Sequence, residues 1–154
     1  MNIRNSAKAV IIQGNKLLAI KKEDIEGYYF VLPGGGQEHG ENLHQTLRRE
    51  CIEEIDEKVE IGDLIFIREY IGKNHEYLVP DFQVHKMEFM FLCSLRDRSK
   101  NIKNGITPDE GQIGVEWLSI SDLLQHRLYP QKMRKYLIDY FNGKELPTYL
   151  GDIN

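Results

Sequence analysis

The stretch from Gly34 to Glu57, GGGQEHGENLHQTLRRECIEEIDE, decides how the chain is read. It begins with three glycines behind Leu32-Pro33 and then changes period. Leu43, Leu47, Cys51 and Ile55 recur every four residues, the spacing of one helical face. Asn42 is placed as its N-cap, with Gln45 three residues on to close a capping box. With Glu50 set at zero on a wheel of about 100° per residue, Glu54 falls near 40° and Glu53 near 300°. The apolar stripe spans roughly 20° to 140°. The acids therefore border the buried face instead of lying opposite it.

That placement separates two readings. A solvated acidic face would lie away from the core and carry lysines at i+4. Here Glu50 and Glu54 are themselves i and i+4, a like-charge pair that weakens a bare helix. Glu57 continues the row from Glu53, and Lys58 offers Glu54 one partner. Acids crowded at the edge of a core call for a cation, and hard oxygen ligands favour Mg²⁺, with Mn²⁺ as the second choice. The glycines Gly34, Gly35 and Gly36 add backbone that can approach a phosphate or offer a carbonyl to a metal. Acids, metal and phosphate together point to substitution at phosphorus.

Outward from this segment, Ala7 to Ile12 and Leu17 to Ile20 read as strands about a Gly14-Asn15 turn. Lys21 to Gly27 reads as a charged loop, and Tyr28 to Leu32 as a short aromatic strand stopped by Pro33. Val59 to Ile71 and Met87 to Leu95 read as longer strands. In the second, Met87, Phe89, Phe91 and Cys93 share one face and Glu88 takes the other. Gly72 to Val84 and Arg96 to Gly111 read as loops, and Val115 to Leu118 as another strand. Ser119 or Ser121 is expected to cap a helix through Leu124. A last helix is expected from Pro130 to Phe141, stopped by Gly143. Strands mixed with a few helices make an α/β or α+β domain, and 154 residues suit a single one, spanning 1–154.

Composition narrows the partners. Apolar residues are 41% and charged residues 29% of the chain, enough for a packed core. A net charge of −4 argues against broad binding to nucleic acid or to an anionic membrane. Cys51 and Cys93 form no metal-like spacing or disulfide framework. The start does not read as a secretory signal, and no stretch approaches the roughly 20 apolar residues of a membrane span. A soluble, cytoplasmic protein is expected.

Gly35, five residues, Glu41, seven residues, Arg49-Glu50, apolar Cys51, one residue and Glu53-Glu54 resemble the Nudix box, and Leu32-Pro33-Gly34-Gly35-Gly36 resembles the segment typical of Nudix hydrolases just before it. The resemblance covers nearly the whole chain. It implies an α/β fold, an α/β/α sandwich around a mixed sheet. It also implies hydrolysis of a nucleoside diphosphate linked to another group, by water attacking phosphorus. By position, Glu50, Glu53 and Glu54 would hold divalent metal. One of them would act as general base, with Glu53 and Glu50 the candidates. Arg49 would orient the glutamates, and Glu41 would brace the box. The carbonyl of Gly34 or Gly35 would complete a metal shell. Glu110, in Glu110-Gly111-Gln112-Ile113-Gly114 ahead of Trp117, would supply a further ligand or base. The box departs at Asp56, where a glycine is expected, and at Glu57, where an apolar residue is expected. A different turn is anticipated there.

The remaining candidates come from the residues alone. One of Tyr28, Tyr29 and Phe30 could stack on a purine, and Tyr29 stands on the opposite face from the other two. Arg68-Glu69 could bind phosphate or a second ribose, or form a surface pair. His85 and Glu88 could line a pocket. The resemblance implies a small nucleoside diphosphate derivative as substrate, with ADP-ribose, a nucleotide sugar, a dinucleoside polyphosphate or a modified nucleoside triphosphate as candidates. The box does not choose among them. Lys21–Tyr29, Gly72–Val84 and Arg96–Glu110 are the candidate reading loops, the second long enough to close over substrate. A homodimer is left open. A non-catalytic Nudix-like module that binds a nucleotide metabolite is the alternative, and intact Glu50, Glu53 and Glu54 argue against it. A metal-dependent isomerase on the same scaffold is more remote.

Overall fold

The computed structural model describes residues 2–75 and 82–154. In chain order these form β1 (Arg4–Gln13), β2 (Lys16–Asp24), β3 (Gly27–Val31), β4 (Gly34–Gly36), α1 (Leu43–Ile55), β5 (Val59–Ile71), β6 (His85–Leu95), β7 (Gln112–Ser119), β8 (Leu128–Tyr129), α2 (Met133–Phe141) and β9 (Tyr149–Asp152). The strands make one curled, mixed sheet in the order β8-β3-β2-β1-β6-β5-β9, with β4 added to β1 and β7 to β2. The curl originates in β1. Residues 4–11 run parallel to β6, and 6–8 also pair with β4, whereas Ile12 and Gln13 pair with β2.

Period-two alternation on β1 and β2 sends side chains to opposite faces, and each face is covered by one helix. Ala7, Ala9, Ile11, Leu18 and Ile20 pack with Leu47, Cys51 and Ile55 of α1. Val10, Leu17 and Ala19 pack with Met133 and Leu137 of α2, together with Phe66 and Met90. This is the expected α/β/α layering, and the helical stripe read from the sequence is the buried face of α1. Both cysteines are free and buried. Burial raises the Cys93 thiol to about 12, so it acts as a core residue. No described helix is long and apolar enough to cross a membrane.

Several boundaries differ from the sequence reading. Lys21 to Gly27 is not a loop: β2 continues to Asp24 and pairs with β3 in a tight hairpin. The glycines Gly34 to Gly36 are not free loop either, but a short strand on β1. Pro130 precedes α2, which begins at Met133. Ile120–Gln125 is a 3-10 helix that Ser119 precedes without a side-chain cap. Strands β8 and β9 were not expected; each is short and pairs in parallel with a distant strand, which leaves no local pattern. Of the proposed closing loop Gly72–Val84, residues 76–81 lie outside the described residues.

The capping box is present. Asn42 Oδ1 accepts from Gln45 N at 2.9 Å and Gln45 Oε1 accepts from Asn42 N at 2.8 Å. At the other end Asp56 takes the left-handed conformation, with φ 52° and ψ 38°. The expected different turn is therefore not found: the backbone keeps a geometry suited to glycine. Glu57 is buried and paired with Lys100 at 2.7 Å, so a salt bridge stands where an apolar contact was expected.

Candidate active site

The site is built where β4 meets α1. Gly34 has φ +126°, and a Cβ there would lie 2.1 Å from the Ala7 carbonyl oxygen, so only glycine fits. Its backbone N–H donates to Glu54 Oε2 at 3.2 Å. A Cβ on Gly35 would lie 2.4 Å from Glu50 Oε1. The glycines thus make room for the chain's own carboxylates and hold them against the sheet edge. The Gly34 carbonyl accepts from Lys8 Nζ at 3.0 Å, and the Gly36 carbonyl accepts from Arg49 Nη2 at 3.0 Å.

Arg49 ties the acids together. Nε donates to Glu41 Oε1 at 2.7 Å, Nη2 to Glu41 Oε2 at 2.9 Å, and Nη1 to Glu50 Oε1 at 3.0 Å. Glu53 lies 3.6 Å from the same guanidinium. This two-pronged contact holds the Glu41 carboxyl down to about 2, helped by the Glu38 N–H and the Thr46 hydroxyl. Arg49 thus joins Glu41 to Glu50 through one guanidinium.

The three glutamates differ sharply. Glu54 is only 3% exposed, Glu50 is partly buried and Glu53 sits at the rim. Burial pushes the Glu54 carboxyl up to about 8. The Lys8 charge and the Gly34 N–H oppose that rise, while Glu50 and Asp109 reinforce it. Among the described residues no three His, Cys, Asp or Glu side chains are already gathered around one point as metal ligands. The donor set nevertheless fits a hard divalent cation: an acid held in low dielectric beside two others is the environment such a cation would return to charge.

Glu110 does not join this cluster. It is exposed, and its backbone N–H donates to Asp109 Oδ1 at 2.9 Å. Asp109 is the loop acid whose charge reaches Glu54, and Lys22 Nζ holds it at 2.5 Å. Gln112 sets this up from the start of β7. Its Nε2 donates to the Glu54 carbonyl at 2.8 Å, and its Oε1 accepts from the Asp109 N–H at 2.9 Å. Sequence reasoning missed Asp109, Lys8 and Gln112. For Asp109 the signal was there: it adjoins Glu110 in the same turn. Lys8 could not be found that way, because an alternating strand residue carries no mark of what faces it.

Arg68 is not a surface residue. It is buried, with Nε on Glu88 Oε2 at 2.5 Å and Nη1 on the Ile153 carbonyl at 2.7 Å. Tyr29 is half-buried, with its ring edge-on to Tyr129 at 6.0 Å. Phe30 is core, and Tyr28 is exposed beneath Lys21. His85 pairs with Glu69, which Tyr149 also bonds, so it fastens the β5 edge and stays out of the carboxylate site.

A family model described as the NUDIX domain matches residues 3–140. The chain belongs to the Nudix hydrolase family. Solved structures share this Nudix fold at low identity. A NUDIX hydrolase from Nitrosomonas europaea is 20% identical, with TM-score 0.73 over 100% of this chain and 80% of that one. An ADP-ribose pyrophosphatase from Streptococcus suis is 20% identical, with TM-score 0.64 over 98% of this chain and 100% of that one. A UDP-X diphosphatase is 17% identical, with TM-score 0.68 over 99% of this chain and 68% of that one. No curated protein sequence matches the chain. Nudix hydrolases generally use divalent metal ions.

Proposed function

We propose that the chain hydrolyses the diphosphate bridge of a nucleoside diphosphate linked to a second group, with Mg²⁺ or Mn²⁺ held by Glu50, Glu53 and Glu54. The observation that carries this reading is Glu54: buried, anchored on the Gly34 N–H, and pressed by Glu50 and Asp109. A divalent ion would supply charge neutralisation of the diphosphate and a more acidic water. The chain's own residues do the rest. Arg49 fixes Glu50 and Glu41 so that the acids keep one geometry. Lys8 places a positive charge beside the glycine strand, where it can meet a phosphate oxygen. Glu53, at the rim, is the candidate to take the proton of the attacking water. The water oxygen forms a bond to phosphorus, the bridging P–O bond breaks, and two phosphorylated products leave.

The relatives named for ADP-ribose and UDP-X support a nucleoside diphosphate substrate. Incubation with ADP-ribose, nucleotide sugars and dinucleoside polyphosphates, with Mg²⁺ and with EDTA, tests the proposal by ³¹P NMR. Paired phosphomonoester signals that EDTA abolishes are expected. Intact substrates throughout the panel, with Mg²⁺ or Mn²⁺ present, would overturn it.

A further inference from the structure

Beside the acids, on the α2 face of the sheet, lies a cleft of about 140 Å³ that the proposed chemistry leaves without a role. Lys8 joins the two: it bonds the Gly34 carbonyl on one side and lines the cleft on the other. Glu88 and Asn154 supply further polar walls, Leu32 and Met90 apolar ones, and Tyr129 an aromatic ring. Glu88 is 8% exposed, and Arg68 occupies its Oε2. Oε1 has no partner among the described residues, yet no fully buried side-chain oxygen among them lacks one. Oε1 therefore opens onto the cleft. Burial raises the Glu88 carboxyl, but the Arg68 and Lys8 charges outweigh it and keep the group ionised. An ionised carboxylate only accepts hydrogen bonds.

Resting on the proposed diphosphate hydrolysis, we infer that this cleft takes the nucleobase and that Glu88, held by Arg68, selects a base presenting two adjacent N–H donors. Guanine meets that requirement with N1–H and the N2 amino group on one edge. Adenine and cytosine offer a single amino group beside an acceptor. Uracil offers one N–H between two carbonyls, which the carboxylate repels. A pocket with apolar walls and an aromatic ring is a usual way of holding a base by that edge. Arg68 also bonds the Ile153 carbonyl, so the selecting carboxylate and the segment that brings Asn154 to the cleft share one anchor. A ring acceptor or carbonyl of the wrong base set against the carboxylate, unpaired and out of water, is what rejects it.

The test compares kcat/KM for GDP-, ADP-, CDP- and UDP-glucose, which differ only in the base. Wild type is expected to prefer GDP-glucose over UDP-glucose by at least about tenfold, mainly through KM. Glu88→Gln keeps an acceptor for Arg68 and gains an amide donor, so that ratio should collapse or invert, read in KM for each base. Equal turnover of all four bases by wild type would overturn the inference and leave the hydrolase reading standing. If none is cleaved, calorimetry with GMP and UMP decides separately: tighter GMP binding supports the base site, and equal or absent binding removes it. GMP and 2′-deoxy-GMP form the control arm. A preference tracking the ribose hydroxyls and indifferent to the base would assign Glu88 to the sugar and overturn the inference. Should Glu88→Gln fail to fold, the wild-type base series and the GMP arm still decide.

Discussion

The N–H of Gly34 donates to the carboxylate of Glu54, twenty residues later, at 3.2 Å. This one bond joins the two halves of the segment from which the fold was read. It also sets a cost, because Glu54 is held where burial favours its neutral form. A carboxyl whose folded pKa is raised binds protons more tightly when folded than when unfolded. Stability is then greatest below the ordinary value of 4.5 and falls as pH rises toward about 8. In EDTA, the melting temperature should drop across that window by the equivalent of a few kcal/mol. Glu54→Gln should flatten the profile, raise the melting temperature near pH 8 and lower turnover by orders of magnitude. Adding Mg²⁺ should recover the wild-type loss near pH 8 and do little for the variant. Thermal melts with and without EDTA check all three; near-normal turnover in the variant would remove Glu54 from the metal site.

Arg49 makes contacts that lysine cannot copy. Its planar fork spans Glu41, Glu50 and the Gly36 carbonyl at once. Arg49→Lys keeps the charge but loses the two-pronged geometry. Turnover should fall by about tenfold or more, with a weaker apparent affinity for Mg²⁺. A metal titration of the rate reads both. Unchanged Mg²⁺ dependence would make Arg49 a fastener of Glu41 alone.

The sequence carried the site's skeleton because that skeleton is local. Asn42, Gln45 and the Leu43 to Ile55 stripe act within one helix, and their spacing is their geometry. Arg49 and Glu41 are eight residues apart on the same segment. What stayed hidden depends on strands meeting across the chain. Arg68 and Glu88 are register partners on β5 and β6, and nothing near either residue in sequence marks them as one buried pair. Strand β9 rests against β5 with Ile67 opposite Tyr149, 82 residues on, and no sequence period records a pairing at that distance. Asp109 was passed over for a smaller reason: it adjoins Glu110 in one turn, and only the contact of Gln112 with its N–H and of Lys22 with its carboxylate marks it out.

The two acids of that turn should therefore behave differently. Asp109→Asn removes a charge that reaches Glu54 and releases Lys22. Turnover should drop by about tenfold or more, as for loss of a group that supports metal ligands. Glu110→Gln alters an exposed side chain and should leave kcat near wild type. Steady-state kinetics on both, with an accepted substrate, settle the order. The reverse order would restore Glu110 to the site.

Asp56 offers a test that leaves the chemistry alone. It closes α1 at φ 52°, where a Cβ is disfavoured and where aspartate is among the more tolerated side chains. Glycine removes the clash but adds freedom to the unfolded chain, so the gain is partly offset. Asp56→Gly should stabilise the protein by about 1 kcal/mol in urea unfolding, with an unchanged slope and unchanged kcat. Asp56→Ala keeps the Cβ and loses the polar group that makes the conformation tolerable, so it should be the least stable of the three. The expected order is glycine, then aspartate, then alanine. If alanine equals aspartate, the side chain adds nothing to the cap. If glycine destabilises, Asp56 contributes to the fold beyond its backbone angle, and its proximity to the Glu57–Lys100 pair would be the place to look.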